Sequence, residues 1–134
     1  MQYTSSLNDL DQNQLTGFFV GWPSHPDTIT HLKILKNSFA VWLAIDDSRC
    51  IGFINALSDG VFYAYIPLLE VIPDYQGHGI GTELLNRMIH TLKDMYAIDL
   101  VCDESVTPFY SKLEFSRCVG MIKRNYHQQT GIRK

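Results

Sequence analysis

Three glycines, Gly77, Gly79 and Gly81, interrupt the run LLEVIPDYQGHGIGTELL at alternate positions. Before them lies an apolar, β-rich stretch. After them Ile80, Leu84, Leu85, Met88, Ile89 and Leu92 repeat at helical spacing. A glycine inside a helix costs about 1 kcal/mol relative to alanine, so bare backbone at this junction serves something other than helix stability. A strand, a glycine turn and a helix N-terminus together make an anion site. The first helical turn exposes N–H groups without intrahelical partners, and the aligned peptide dipoles add about half a positive charge. Without a Cβ in the way, those N–H groups approach phosphate oxygens closely. Two common phosphate signatures fail here on spacing. The turn reads G-x-G-x-G followed by Thr82, not G-x-G-x-x-G, and no lysine stands where a P-loop needs one.

The flanking sequence predicts the elements that would surround this unit. Residues 1–7 suit a short opening strand. Asn8 and Asp9 are capping residues, and Leu10, Leu15, Phe18 and Phe19 fall on one helical face until VGWPSHP (20–26) breaks the pattern. Asp27 and Thr28 cap a second helix to about Asn37, with Ile29, Leu32 and Leu35 as its apolar residues. FAVWLAI (39–45) and CIGFINAL (50–57) read as strands joined by the DDSR turn, and SDG (58–60) signals a tight hairpin. The next strand, 61–72, contains Pro67, which donates no ladder hydrogen bond and predicts a bulge or a splayed strand. IDLVC (98–102) reads as a short strand buried on both faces. Thr107 is expected to cap a short helix with Pro108 at its first position, and a last strand is expected over 117–124. Residues 1–134 form one domain, without repeats or linkers.

Composition excludes several classes. A net charge of −3 argues against a nucleic-acid partner, and the basic residues Lys123, Arg124, Arg133 and Lys134 read as a solvated tail. Cys50, Cys102 and Cys118 lie in apolar runs without C-x-x-C spacing, which predicts buried free thiols in a reducing compartment. The histidines form no H-x-x-x-H pair, so no metal site is expected. No apolar run reaches the roughly 18 residues of a membrane helix, and MQYTSSLNDL lacks the layout of a signal peptide. A cytoplasmic protein with no membrane partner is the expectation.

Gln76-Gly77-His78-Gly79-Ile80-Gly81 does fit the pattern Q/R-x-x-G-x-G/A. With its surroundings it resembles the acetyl-coenzyme A motif of the GNAT superfamily of N-acetyltransferases. PFYSKLEF is similar to that family's FY-x-K-x-GF segment, and the order of elements resembles the family's over residues 1–124. The resemblance implies an α/β fold of the α+β type, a central, mostly antiparallel mixed sheet flanked by helices. It implies acetyl-CoA as cosubstrate and a primary amine, on a small molecule, peptide or protein, that attacks the thioester directly.

By the same resemblance, backbone groups of Leu69 and Val71 hold the pantetheine arm. Gln76, Gly77, His78, Gly79, Ile80, Gly81 and Thr82 surround the pyrophosphate, and Tyr110 matches the donor of a proton to the departing thiolate. The general base stays open among Glu70, Asp103 and Glu104, or is not needed. Glu70 is preferred, because strand alternation points it opposite to Leu69 and Val71. His78 is expected to face solvent or phosphate, and Phe18, Phe19 and Trp22 are candidate walls of the acceptor pocket. Two features depart from the family pattern. Glu114 stands where the family has glycine, so that helix end differs or holds strain, and the opening strand is short. A non-catalytic CoA-binding sensor or scaffold is the alternative reading, with a nucleotide-binding regulator behind it. Homodimerisation is left open.

Overall fold

In a computed structural model that describes residues 1–133, five strands form one sheet in the order β1-β2-β3-β4-β5. Lys134, from the expected basic tail, lies outside the described residues. Strands β1 (Gln2–Thr4), β2 (Ala40–Asp46), β3 (Arg49–Ser58) and β4 (Tyr63–Val71) are successively antiparallel, and β5 (Ala97–Asp99) runs parallel to β4. Helices α1 (Thr28–Lys36), α2 (Ile80–Thr91) and α3 (Thr107–Ser111) complete the fold. The sheet is therefore mixed and mostly antiparallel, as the resemblance implied.

Two residues of β3 show how the layers stack. A Cβ on Gly52 would meet Leu84 Cδ1 at 3.1 Å and Ile80 Cγ2 at 3.3 Å, so α2 lies directly on bare backbone there. Phe53, the next residue, faces the other side, with the rings of His31 and Phe18 at 4.4 Å and 5.0 Å. Helix α2 buries Ile80, Leu84, Leu85 and Met88 along its predicted stripe, each worth about 1.5–3 kcal/mol when fully removed from water. Helix α1 is capped as expected, the Asp27 carboxylate accepting from the Thr30 N–H at 2.7 Å. Its buried face is rotated from the expected one. His31 and Leu35, one turn apart, are buried, Leu32 is half-buried, and Ile29 is exposed.

Other expectations need correction. The helix expected from Asn8 to Phe19 shrinks to a 3₁₀ turn, Gln12–Gln14. Asp11 and Gln14 close a capping box on it, and Gly17 at φ +93° turns the chain away. Leu15, Phe18 and Phe19 still reach the core, from a loop. The 58–60 hairpin is wider than a two-residue turn, since the Asp59 carboxylate accepts from the N–H groups of Val61, Phe62 and Tyr63. Thr107 is the first helical residue of α3 and not its cap; its hydroxyl donates to the Glu104 carbonyl at 2.9 Å. Of the three thiols only Cys50 is buried, and burial pushes it up to about 12. Cys102 is half-buried and Cys118 exposed, so the expectation of burial fails for both.

Pro67 produces the predicted irregularity. Asn55 stands opposite Leu68 but Leu57 opposite Tyr65, which leaves Ile66 and Pro67 together across from Ala56. Pairing of β4 with β5 covers only Tyr63–Tyr65 with Ala97–Asp99 and ends just before that bulge. The strand expected over 98–102 is thereby cut short. Leu100 and Cys102 are half-buried and Val101 is exposed, so it is not buried on both faces. The strand expected over 117–124 has no partner in the sheet.

Glu114 resolves its departure from the family pattern by strain. Its φ is +70°. The Phe115 N–H donates to the Tyr110 carbonyl at 3.3 Å and the Glu114 N–H to the Ser111 carbonyl at 3.1 Å, which is a Schellman ending with Glu114 where glycine is usual. A left-handed non-glycine residue costs about 1–2 kcal/mol, partly offset because glycine adds unfolded-state entropy. Glu114→Gly should therefore raise stability in urea unfolding by about 0.5–1 kcal/mol without changing the m-value. A loss of stability would contradict the strain.

Candidate active site

The Ile72 N–H donates to the Ile51 carbonyl of β3 at 2.9 Å. Backbone groups alternate sides along a strand, so those of Leu69 and Val71 point to the opposite edge of β4. There β5 has already stopped pairing. The Val71 carbonyl on that edge accepts from Gln76 Nε2 at 2.9 Å, which ties the glycine turn to the end of the strand.

The turn itself is open. Gly77 and Gly79 have φ of +80° and +82°, and a Cβ on either would meet nothing within 4 Å. Helix α2 makes its first bond from the Glu83 N–H to the Gly79 carbonyl at 3.1 Å, and no side chain caps it. The N–H groups of Ile80, Gly81 and Thr82 therefore lack intrahelical partners. The Ile80 side chain is buried and Thr82 exposed, so Ile80 presents only backbone to this space. His78 is exposed and folds back on its own turn, with Nδ1 2.9 Å from the Gln76 carbonyl oxygen and 3.2 Å from that of Tyr75. A Cβ on Gly81 would lie 3.7 Å from Phe109 Cζ and 3.9 Å from Val71 Cγ2. The turn, β4 and α3 meet at Gly81.

Tyr110 follows Phe109 on α3. Its ring packs edge-on against Phe109 at 5.0 Å and Phe115 at 5.8 Å, the second contact closing the Schellman ending. Burial, and then the neighbouring Cys102, push its hydroxyl above the ordinary tyrosine range, so it carries its proton at neutral pH. Glu70 pairs with Phe53 and so faces α1, opposite to the Leu69 and Val71 side chains. Its Oε2 accepts from the Phe19 N–H at 3.0 Å and its Oε1 from the Val20 N–H at 3.3 Å. Phe19 adopts φ +61° to present them. Burial raises the Glu70 carboxyl above the usual range, against the lowering by these two N–H groups and by His25. Asp103 and Glu104 are exposed, and Glu104 is engaged with Arg117 at 3.0 Å. Phe18 and Phe19 belong to the core, and Trp22 packs on Phe19 at 5.0 Å while remaining partly exposed.

The model of the acetyltransferase (GNAT) family matches residues 7–115. The chain belongs to the GNAT family. It is 35% identical to histone acetyltransferase TAP1 of Glycine max over 83% of this chain and 54% of that protein. It is 32% identical to GCN5-related N-acetyltransferase 2, chloroplastic, of Arabidopsis thaliana over 83% of this chain and 52% of that protein. The chain thus spans about half the length of these curated relatives. A crystal structure of a candidate acetyltransferase from Deinococcus radiodurans R1 superposes with a TM-score of 0.95 at 42% identity, covering 99% of this chain and 94% of that one.

Two features of this GNAT site escape sequence reasoning. The Phe19–Val20 clamp on Glu70 is made of backbone, and its only signal is the pair of flanking glycines, Gly17 and Gly21. His31 is 1% exposed, neither ring nitrogen has a partner, and it borders a pocket of about 260 Å³ shared with Phe18, Phe19 and His25. The competing stripe of Ile29, Leu32 and Leu35 hides it in the sequence. Among the described residues no group of three or more His, Cys, Asp or Glu is placed to hold a metal ion, and no helix is long and apolar enough to cross a membrane.

Burial lowers the His31 imidazole from 6.5 to about 4. The unfolded chain takes up this proton first, so the stability His31 contributes is whole above about pH 6.5 and is lost as pH falls toward about 4. The slope is up to about 1.4 kcal/mol per pH unit. His31→Phe should remove that part of the pH dependence in urea unfolding. An unchanged slope would mean that His31 titrates as an exposed ring does.

Proposed function

We propose that this GNAT domain, residues 1–134, transfers an acetyl group from acetyl-CoA to a primary amine of a small molecule, peptide or protein. The observation that carries the reading is the convergence at Gly81 of an uncapped helix N-terminus, an unpaired strand edge and the helix bearing Tyr110. The space beside Gly77 and Gly79 suits a pyrophosphate, and the N–H groups of Ile80, Gly81 and Thr82 are the donors for it. Gln76 orients the turn, while His78 and the Thr82 hydroxyl border it. Leu69 and Val71 offer the pantetheine amides backbone partners along an edge that β5 leaves open.

Acetyl-CoA supplies an activated acetyl thioester; the protein's part is positioning and proton transfer. Tyr110, kept protonated, donates to the thiolate as it departs. Glu70, clamped and with raised proton affinity, takes the proton of the incoming amine from the α1 face. Cys50, Cys102 and Cys118 carry no acyl group, because direct attack needs no covalent intermediate. Three unpaired thiols suit a reducing compartment, and the cytoplasm is the proposed one.

Tyr110→Phe should keep acetyl-CoA affinity and lower turnover about 100- to 10,000-fold, since the hydroxyl acts mainly in the transition state. A panel of amines read by CoA release identifies the acceptor and measures this loss. A loss under about tenfold would remove Tyr110 from the chemistry. Gly79→Val, with its fold checked by circular dichroism, should weaken CoA binding in calorimetry by at least about tenfold, because the added Cβ enters the pyrophosphate space. Unchanged affinity in a folded variant would sink the assignment of the turn. Tight CoA binding without turnover of any amine would favour the sensor or scaffold.

A further inference from the structure

After α3 the chain leaves the body of the domain and then returns to it. Residues 116–127 are exposed throughout, and no backbone hydrogen bond engages 117–124 among the described residues. Residues 125–131 then close into a compact turn. The N–H groups of Gln128, Gln129 and Gly131 donate to the carbonyls of Asn125, Tyr126 and Gln128 at 2.9, 3.1 and 2.9 Å. This turn docks on a part of the chain remote in sequence. The Ser24 N–H donates to Gln129 Oε1 at 3.3 Å, and a Cβ on Gly131 would lie 2.9 Å from Thr30 Cγ2. Gln128, Gln129 and Thr130 are half-buried there. Gly131 stands at φ +75°, so its conformation and its closeness to α1 both call for glycine.

The two contacts bracket one wall of the cavity beside His31. His25, Pro26, Asp27 and Thr28 line that cavity, and in the chain they lie between Ser24 and Thr30. From Gly21 to His25 the loop is exposed. Among the described residues, the bond from Ser24 to Gln129 is the one hydrogen bond that ties this stretch to a residue outside the loop. We infer that residues 125–131 are a releasable strap: docked, they hold the 21–28 wall closed over His31, and undocked, they let it open. A single hydrogen bond and a close packing contact are a weak hold, so docked and free straps exchange within the native protein. The exposed tether lets the strap leave without disturbing the sheet. His31 is the group that such opening uncovers, since it is 1% exposed and neither ring nitrogen has a partner. Acetyl transfer plays no part in this inference, and its test reads no activity.

Two probes read the strap. Trp22 lies in the loop, and because the chain has only one other tryptophan, Trp42→Phe isolates its fluorescence. His31 reports on the cavity through carbethoxylation by diethyl pyrocarbonate, located by peptide mass spectrometry. Its ring is neutral at pH 7, so it reacts once it is reached. Gln129→Leu/Gly131→Val removes the acceptor for Ser24 and sets a branched side chain against Thr30. In the Trp42→Phe background it should raise acrylamide quenching of Trp22 about twofold. In the same variant His31 labelling should rise at least about fivefold, the scale of one lost hydrogen bond. Both substituted residues lie outside the core, so thermal unfolding should stay native-like. Gln129→Glu keeps an acceptor and should match the wild type. A trypsin cut at Lys123 or Arg124, in the exposed tether, should reproduce both changes without any substitution at the strap. Unchanged quenching and labelling in the folded double variant overturn the inference. So does Gln129→Glu opening His31 as far as the double variant does.

Discussion

The constraint on which the site depends is the early parting of β4 from β5. Their ladder holds only from Tyr63 to Tyr65, and the bulge at Ile66 and Pro67 follows at once. Proline brings no N–H to a neighbour, so the strand cannot continue a regular ladder through residue 67. β4 does not unravel, because β3 holds its other edge as far as Val71. What remains at Leu69 and Val71 is a row of backbone groups fixed in direction and left without a strand partner, of which the Val71 carbonyl is already met by Gln76. Such groups are strong and ordinarily paired, and each bond restored to them contributes about 0.5–1.5 kcal/mol net. An extended ligand carrying amides is a chemical replacement for the missing strand.

The same strand divides the work between its edge and its face. The free edge leads into the glycine turn through Val71 and Gln76. One face rests against α2, through Val71 beside Gly81. The opposite face carries Glu70 toward the aromatic loop and α1. In the proposed reaction the two substrates therefore approach β4 from different directions, and neither needs to cross the other's path. Rigid packing supports this division, because Gly52 lets α2 lie against backbone and fixes where its first turn begins.

What the sequence disclosed was decided by neighbours in the chain. The glycine turn, the α2 stripe, the Asp27 cap and the Pro67 bulge each follow from a few adjacent residues, whereas the strain at Glu114 was one of two outcomes that the family resemblance implied. The elements that failed depend on distant partners. Residues 98–102 and 117–124 have strand-forming side chains, but a strand exists only where another edge is offered, and β-propensity does not report that. The apolar residues between Leu10 and Phe19 did belong inside, yet a capping box and Gly17 delivered them from a loop instead of a helix. Burial of His31 was illegible for a similar reason, as only the rings of Phe18, Phe19 and Phe53 select that face of α1. Within the candidate site the glycine turn and the short helix carrying Tyr110 were foreseen as elements, and the clamp on Glu70 was not.

That clamp couples a proton to a loop. The N–H groups of Phe19 and Val20 donate to the Glu70 carboxylate of β4, with Phe19 in a left-handed conformation and its ring packed in the core. Neutralising the carboxyl weakens it as an acceptor, and the strained residue then gains freedom to relax. Proton uptake at Glu70 and the strength of its hold on these two N–H groups are linked: the bonds lower the proton affinity of the carboxyl, and protonation weakens the bonds. In the proposed reaction, an amine that leaves its proton on Glu70 would weaken the carboxylate's grip on Phe19 and Val20, so the proton that activates the acceptor would also ease the strained residue beside it.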